Sequence, residues 1–315
     1  MILAATLTLL FLIGYSSQRS GVCMVRAVRE VVVRRRVHRI AGFALAAASA
    51  MLVMALAEVM GTHPFQTIVG VRADGLAVAG GVLFGLGSRL TGHCAIGTLA
   101  ALAAGEISRV ATIIAMLVAA LLLGPSMSQA ALMLPGRAAF ASPLIGNVPL
   151  ALAAGSVMAV LAAGYIYRRI GWRRPRGGWS PLFAMSLIGA ASGCLFALDQ
   201  RWVYTSRIAE IAYGEFVVTP VSLIPLAALV GAMVLAAIMG RQFQLRRGTL
   251  HEWLAASAGG LLMGLGATLV PGGNDTMLFT GVPLLLPNLI AAYAAFVATL
   301  LVTLRASEPT PPPAV

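Results

Sequence analysis

A thiol and an imidazole sit side by side at Gly92-His93-Cys94, where a long apolar, glycine-spaced run from Ala79 to Ala100 is interrupted. A broken helix leaves backbone N–H groups unpaired, and its positive end suits an anion. A neutral Cys94 thiol is a weak donor at such a break. A helix N-terminus favours the thiolate, which repels an anion. His93 either donates to an anion or bonds a carbonyl freed by the break. Cys23 holds an equivalent place after the first apolar run, and Cys194, inside a later run, reads as a small packing residue. A second break occurs at Pro271-Gly272-Gly273-Asn274-Asp275. Asp275 either caps a half-helix or takes up a proton. Arg19 and Arg201 follow apolar runs at matching places and either steer an anion or snorkel to headgroups. Arg89, one turn before the first break, is a counter-charge for an anion or a partner for an acid.

The elements that position these residues are set by composition. The chain has 315 residues, 59% hydrophobic and 10% charged, with a mean hydropathy of +0.92. Apolar runs recur at about the ~20-residue length that crosses a bilayer core. A β-barrel would show short alternating segments instead. The reading is an all-α polytopic membrane protein with about nine spans plus re-entrant half-helices. The net charge is +12, and every basic residue is Arg. Most lie in three clusters, Arg26 to Arg39, Arg168 to Arg176 and Arg241 to Arg247, each beside an apolar run. That is the positive-inside pattern, with lipid headgroups as the partner and no nucleic-acid role. The opening residues read as a retained span, since no basic n-region or small-residue cleavage site is present. Three cysteines do not make a disulfide framework. The chain has no Lys, so it has no P-loop. No zinc motif or Ser-His-Asp arrangement is legible, so neither an enzyme nor a cofactor is expected.

The two breaks belong to an internal repeat. Gly80, Gly81, Gly85 and Gly87 match Gly259, Gly260, Gly264 and Gly266, and Gln18-Arg19 matches Gln200-Arg201. Placing the Arg clusters on one side orders the spans without adjustment. Spans 1–4 and 6–9 are then related by an odd offset of five spans, which inverts the second copy. The expected organisation is a first repeat over 1–125, a linking span with an Arg-rich loop over 126–179, a second repeat over 180–304 and a disordered tail over 305–315. An inverted pair of repeats with broken helices places a transport site near the midplane between them. The glycines before each break also have a plain packing use.

The stretch GYSSQRSGVCMVRAVRE resembles the first signature of the YeeE/YedE sulfur-transport family, a Gln-Arg-Ser-x-x-Cys core. GGVLFGLGSRLTGHCAIGTL resembles its second, GG-x-x-F-G-x-G ending in Gly-x-Cys-x-x-Gly. The resemblance implies a bacterial inner-membrane permease for thiosulfate or a related small sulfur anion. It implies an hourglass of nine spans and a substrate passed between cysteines, here Cys23 and Cys94. The family's third cysteine position falls at Gly272 or Gly273, so that relay point is absent. PGGNDTMLFTGVPLL resembles the SoxT-type branch instead. The alternatives are a sensor that binds the anion and signals to a cytoplasmic partner, or a permease for another sulfur or selenium species. For Arg26 to Arg39 there are likewise two readings, an anchor on anionic lipid or a docking surface for a cytoplasmic sulfur-handling protein.

Overall fold

The computed structural model describes residues 2–66, 68, 70–132, 139–170, 179–198 and 220–307. Arg201, the Arg-rich loop over 171–178 and the tail from 308 onward lie outside the described residues. Residues 305–307, assigned to the tail in the sequence reading, continue the last helix.

Helices carry the architecture. They are α1 (Ile2–Ser20), α2 (Met24–Arg34), α3 (His38–Val59), α4 (Gly75–Thr91), α5 (Ala95–Ala103), α6 (Arg109–Leu132), α7 (Val148–Ile170), α8 (Pro181–Leu198), α9 (Pro220–Met239), α10 (Leu250–Leu269), α11 (Asn274–Thr276) and α12 (Pro287–Ser307). A π-turn over Met277–Gly281 prolongs α11. A two-stranded antiparallel ladder, Gly70–Val71 with Ala139–Phe140, is the only sheet among the described residues. Among the described residues, six helices are long and apolar enough to span a membrane, or seven when α10 and α11, bent by 47°, count as one, and two shorter apolar stretches lie in α6 and α9. The protein is an all-α polytopic membrane protein.

Helix starts and stops follow local chemistry. Asp74 caps α4 by accepting the Ala77 N–H at 2.8 Å. Thr249 and Glu252 form a reciprocal capping box at the start of α10. Gly92 closes α4 in the left-handed region, φ +74°, and Gly272, at φ +136°, closes α10 by donating its N–H to the Ala267 carbonyl at 2.9 Å. Both breaks therefore fall where the sequence places them.

Helix pairing is consistent with an internal two-fold. Let α1, α3, α4 and α6 correspond to α8, α9, α10 and α12. Then the α1–α9 interface exchanges with α8–α3, and α4–α12 exchanges with α10–α6. The α1–α8 and α4–α10 interfaces map onto themselves. The matching glycines obey the same exchange. A methyl on Gly87 would strike the Gly259 carbonyl, and one on Gly259 would come within 2.7 Å of the Gly87 carbonyl. Gly80 and Gly266 oppose each other in the same way. The inner glycines face outward from this pair: Gly81 and Gly85 lie on α12, and Gly260 and Gly264 lie on α6. With no hydrophobic drive between helices in lipid, close backbone approach supplies the packing. These eight positions are packing residues, each with a helix backbone or side chain against it.

The main core joins both halves. Phe84 of α4 meets Phe296 of α12 edge-on, with ring centroids 5.4 Å apart. Around them lie Met24, Cys23, Cys94, Leu99 and Met263. The Arg-rich segment after Cys23 is too charged to span a membrane and is expected on the cytoplasmic side. Within it Met24, Val25, Ala27 and Val28 are all buried, while Arg26 and Arg29 reach the surface. Its apolar residues fall at one helical face in the first two turns, so α2 is a half-helix that starts in the core.

Candidate functional site

Three chain breaks start half-helices in the core. Cys23 is the N-cap of α2, Cys94 that of α5 and Gly273 that of α11. Neither cysteine uses its side chain as a cap. Instead the two sulfurs meet each other, with Cys94 Sγ 3.9 Å from Cys23 Sγ. The Met24 N–H, first in α2, donates to Cys94 Sγ at 3.4 Å. Both thiols are buried, Cys94 completely. The second repeat reaches the same spot through Asn274, whose Oδ1 accepts the Ala95 N–H at 3.3 Å. One N-terminal amide of each cysteine-capped half-helix is thus held by a side chain of another break.

The first break is fixed by Thr91. Its hydroxyl donates to the His93 carbonyl at 2.8 Å, and Arg109 Nη1 donates to the Thr91 carbonyl at 2.8 Å. An arginine on the last carbonyls of α4 satisfies an orphan acceptor and opposes the helix dipole. His93 is 9% exposed, with Nδ1 3.3 Å from the same Thr91 carbonyl. When Nδ1 carries the proton, the ring bonds the freed carbonyl, one of its two expected roles. The other nitrogen then has no proton to offer an anion. Gly92 is exposed, and a methyl there would meet nothing within 4 Å. Its contribution is backbone conformation.

A polar cavity of about 420 Å³ leads to this pair. Its mouth carries the exposed side chains of Arg26, Gln242, Gln244 and Arg246. Its floor is the buried set Gln18, Cys23, His93 and Gly97. Arg19 and Arg39 also line it, against one acid, Glu106. Glu106 is already paired with Arg109 at 2.9 Å, and Arg39 with Glu30 at 2.8 Å. That leaves Arg19, Arg26 and Arg246 to set the sign of the cavity. Arg19 Nε is buried and has no hydrogen-bond partner among the described residues, while its Nη1 lies against Gly240. The lining therefore carries a net positive charge above a floor that includes Cys23.

Not every expected site residue joins the thiol pair. Asp275 is buried at the first turn of α11 and lines a separate, mostly apolar cavity of about 60 Å³ with Leu10, Ile96, Leu99 and Phe279. Gly272 and Gly273 shape the second break rather than line the basic cavity. Arg201 lies outside the described residues. Arg89 donates to Ser307 Oγ at 2.8 Å near the surface. Cys194, half-buried on α8, does not line the basic cavity.

Other residues join the site without having been singled out. A methyl on Gly97 would lie 2.7 Å from Cys23 Sγ and 3.6 Å from Cys94 Sγ. Its spacing of three residues from Cys94 puts both on one helix face, and that signal was available in the sequence. Arg246 arrives through a long-range contact with no such signal. The turn after α5 is laced to the α9–α10 loop by Gln244 N–H to Ala104 and Arg246 N–H to Gly105, at 2.8 and 2.9 Å. The buried hydroxyl of Tyr293 on α12, packed against the core cluster that holds both thiols, has no partner among the described residues.

The site combines a basic entrance, two adjoining thiols and half-helix N-termini, with no cluster of three or more metal-ligating residues among the described ones. No curated protein matches the chain at a significant level. The sulphur-transport family model matches residues 19–302, from Arg19 beside the cavity through nearly all of α12, and the chain belongs to that family.

Proposed function

We propose that this protein is a permease for thiosulfate or a closely related small sulfur oxyanion, in a bacterial inner membrane, and not an enzyme. The observation that carries the reading is the position of Cys23 at the floor of a basic cavity, with Cys94 3.9 Å behind it. The arginines attract a sulfur oxyanion, and the thiols offer weak S–H donors that hold it without trapping it. Weak binding favours passage, because a conducting site must release what it admits. The Arg clusters put the cavity on the cytoplasmic side. The anion then passes Cys94 before Cys23 and leaves beside Arg19. Arg201 at the opposite mouth is the expected counterpart in the second repeat. Residues 1–125 and 180–304 act as the two inverted repeats, with the site between them.

Energy sets one condition. Moving a dianion inward against ~100 mV costs ~2.3 kcal/mol per charge. Import therefore needs a coupled cation, a steep gradient or rapid consumption inside, the last being the work of a cytoplasmic sulfur-handling partner.

The test is uptake of radiolabelled thiosulfate by proteoliposomes, with sulfate, selenate and sulfite as competitors. Uptake above that of empty liposomes is expected, and Cys94→Ala should lose most of it. Transport by Cys94→Ala at the wild-type rate removes the thiol from the mechanism. Binding without uptake favours the sensor.

A further inference from the structure

The thiol pair has a chemistry of its own besides contact with a passing anion. Cys23 Sγ and Cys94 Sγ are 3.9 Å apart, and a disulfide requires about 2 Å. Both sulfurs lie over Gly97, which puts no side chain of its own against them. The Met24 N–H that holds Cys94 Sγ belongs to the residue after Cys23, so the backbone carrying one sulfur also holds the other.

Among the described residues, the basic cavity reaches one thiol of the pair. Cys23 lines the basic cavity, whereas Cys94 does not line it and is fully buried. A reagent entering from the mouth passes Arg26 and Arg246, then Arg19, and meets Cys23 first. The charge of that entrance selects anions.

We propose that Cys23 and Cys94 form a reversible oxidation site for anionic sulfur–sulfur compounds of the polythionate class, with Cys23 the thiol that attacks and Cys94 the one that resolves. The proposal rests on the reading of the cavity as an anion path. With tetrathionate, the Cys23 thiolate attacks a central sulfur. The central S–S bond breaks, one thiosulfate leaves and Cys23 carries an S-thiosulfate group. The Cys94 thiolate then attacks Cys23 Sγ, forming the disulfide and releasing a second thiosulfate. In total, two thiols are oxidised, one tetrathionate is reduced to two thiosulfates, and two protons go to solvent. This is thiol–disulfide exchange through a mixed intermediate. The disulfide lies across the floor of the cavity and closes the path until a reductant opens it.

The experiment uses full-length protein in liposomes with Cys194 replaced by Ala, so that two thiols remain. Tetrathionate is added, the reaction is quenched in acid, and intact mass and peptide maps are read. The two-thiol protein should lose two hydrogens and keep no adduct, with a Cys23–Cys94 peptide link. Thiosulfate uptake should fall to the level of empty liposomes and return with dithiothreitol. Cys94→Ser should stop at an S-thiosulfate adduct on Cys23. Cys23→Ser should leave Cys94 unmodified over the same interval. A persistent adduct in the two-thiol protein, or Cys94 reacting equally fast without Cys23, overturns the proposal. The mass readings of the two-thiol protein need no change at the site, so a poorly folded variant does not leave the question open. Ordered oxidation in a protein that takes up no thiosulfate counts against transport alone. Normal uptake with disordered oxidation counts against the dithiol site alone.

Discussion

The two helix breaks share a backbone plan and differ in what they present. The first ends a glycine-spaced helix at Gly92 and begins a regular nine-residue half-helix under a cysteine N-cap. The second ends a matching helix before Gly272 and begins only three helical residues under a glycine N-cap, followed by a π-turn. The first half-helix borders a polar cavity along Gly97, Ala100, Ala101 and Ala104. The whole segment from Asn274 to Gly281 is buried. Both halves share one steric requirement, two helices crossing at paired glycines, while the adjoining thiols lie on one side. The second break retains a supporting part: Asn274 holds the amide at the head of α5.

The division can be broken most severely at Cys23. Cys23→Ala should reduce thiosulfate uptake to the liposome background, while Asp275→Asn, at the second break and outside the basic cavity, should keep most of it. Uptake assays on both variants in one preparation make the comparison. Equal losses would mean that the second break also takes part in the chemistry.

Glycines at the two half-helices sharpen the same contrast. Gly97→Ala drives a methyl toward Cys23 Sγ, a movable thiol. Gly281→Ala drives one onto Leu289 in the core. The first should cut uptake about tenfold, the equivalent of ~1.4 kcal/mol, with little change in thermal unfolding. The second should destabilise the fold by about 1–3 kcal/mol, as overpacking does. Thermal unfolding in detergent, read beside uptake, separates the two. A Gly97→Ala protein that unfolds early but transports normally would reverse the assignment.

Much of this arrangement is legible in the sequence because its causes are local. Apolar runs fix the long helices, arginine clusters order them, and glycines with a missing apolar continuation mark the breaks at Gly92 and Gly272. Cys23 and Cys94 could be named as a pair only through the family resemblance, since a sequence separation of 71 says nothing about contact. The buried start of α2 is harder to see in the sequence. Its arginines dominate the composition, but Met24, Val25, Ala27 and Val28 form a short apolar face that a charge count averages away. The cavity mouth was hidden for a different reason. Arg246 reaches it through backbone pairing with Gly105, whose φ of +102° lets the two chains touch. Backbone pairing between distant loops leaves no side-chain pattern to read. Asn274 could be seen as part of a break, but not as the acceptor for a helix in the other half.

The supporting role of Asn274 gives the smallest effect. Asn274→Ala leaves the buried Ala95 N–H without its acceptor, a loss of about 1–3 kcal/mol. That amide is the first of α5, directly after Cys94, so the loosened end is the one that holds the thiol. Uptake should fall only a few-fold, because both thiols and the cavity arginines remain. Hydrogen exchange at the start of α5 should speed up, while exchange in α11 itself should change less. Faster exchange confined to α11 would mean that Asn274 serves only its own half-helix, and that the second break lends nothing to the first.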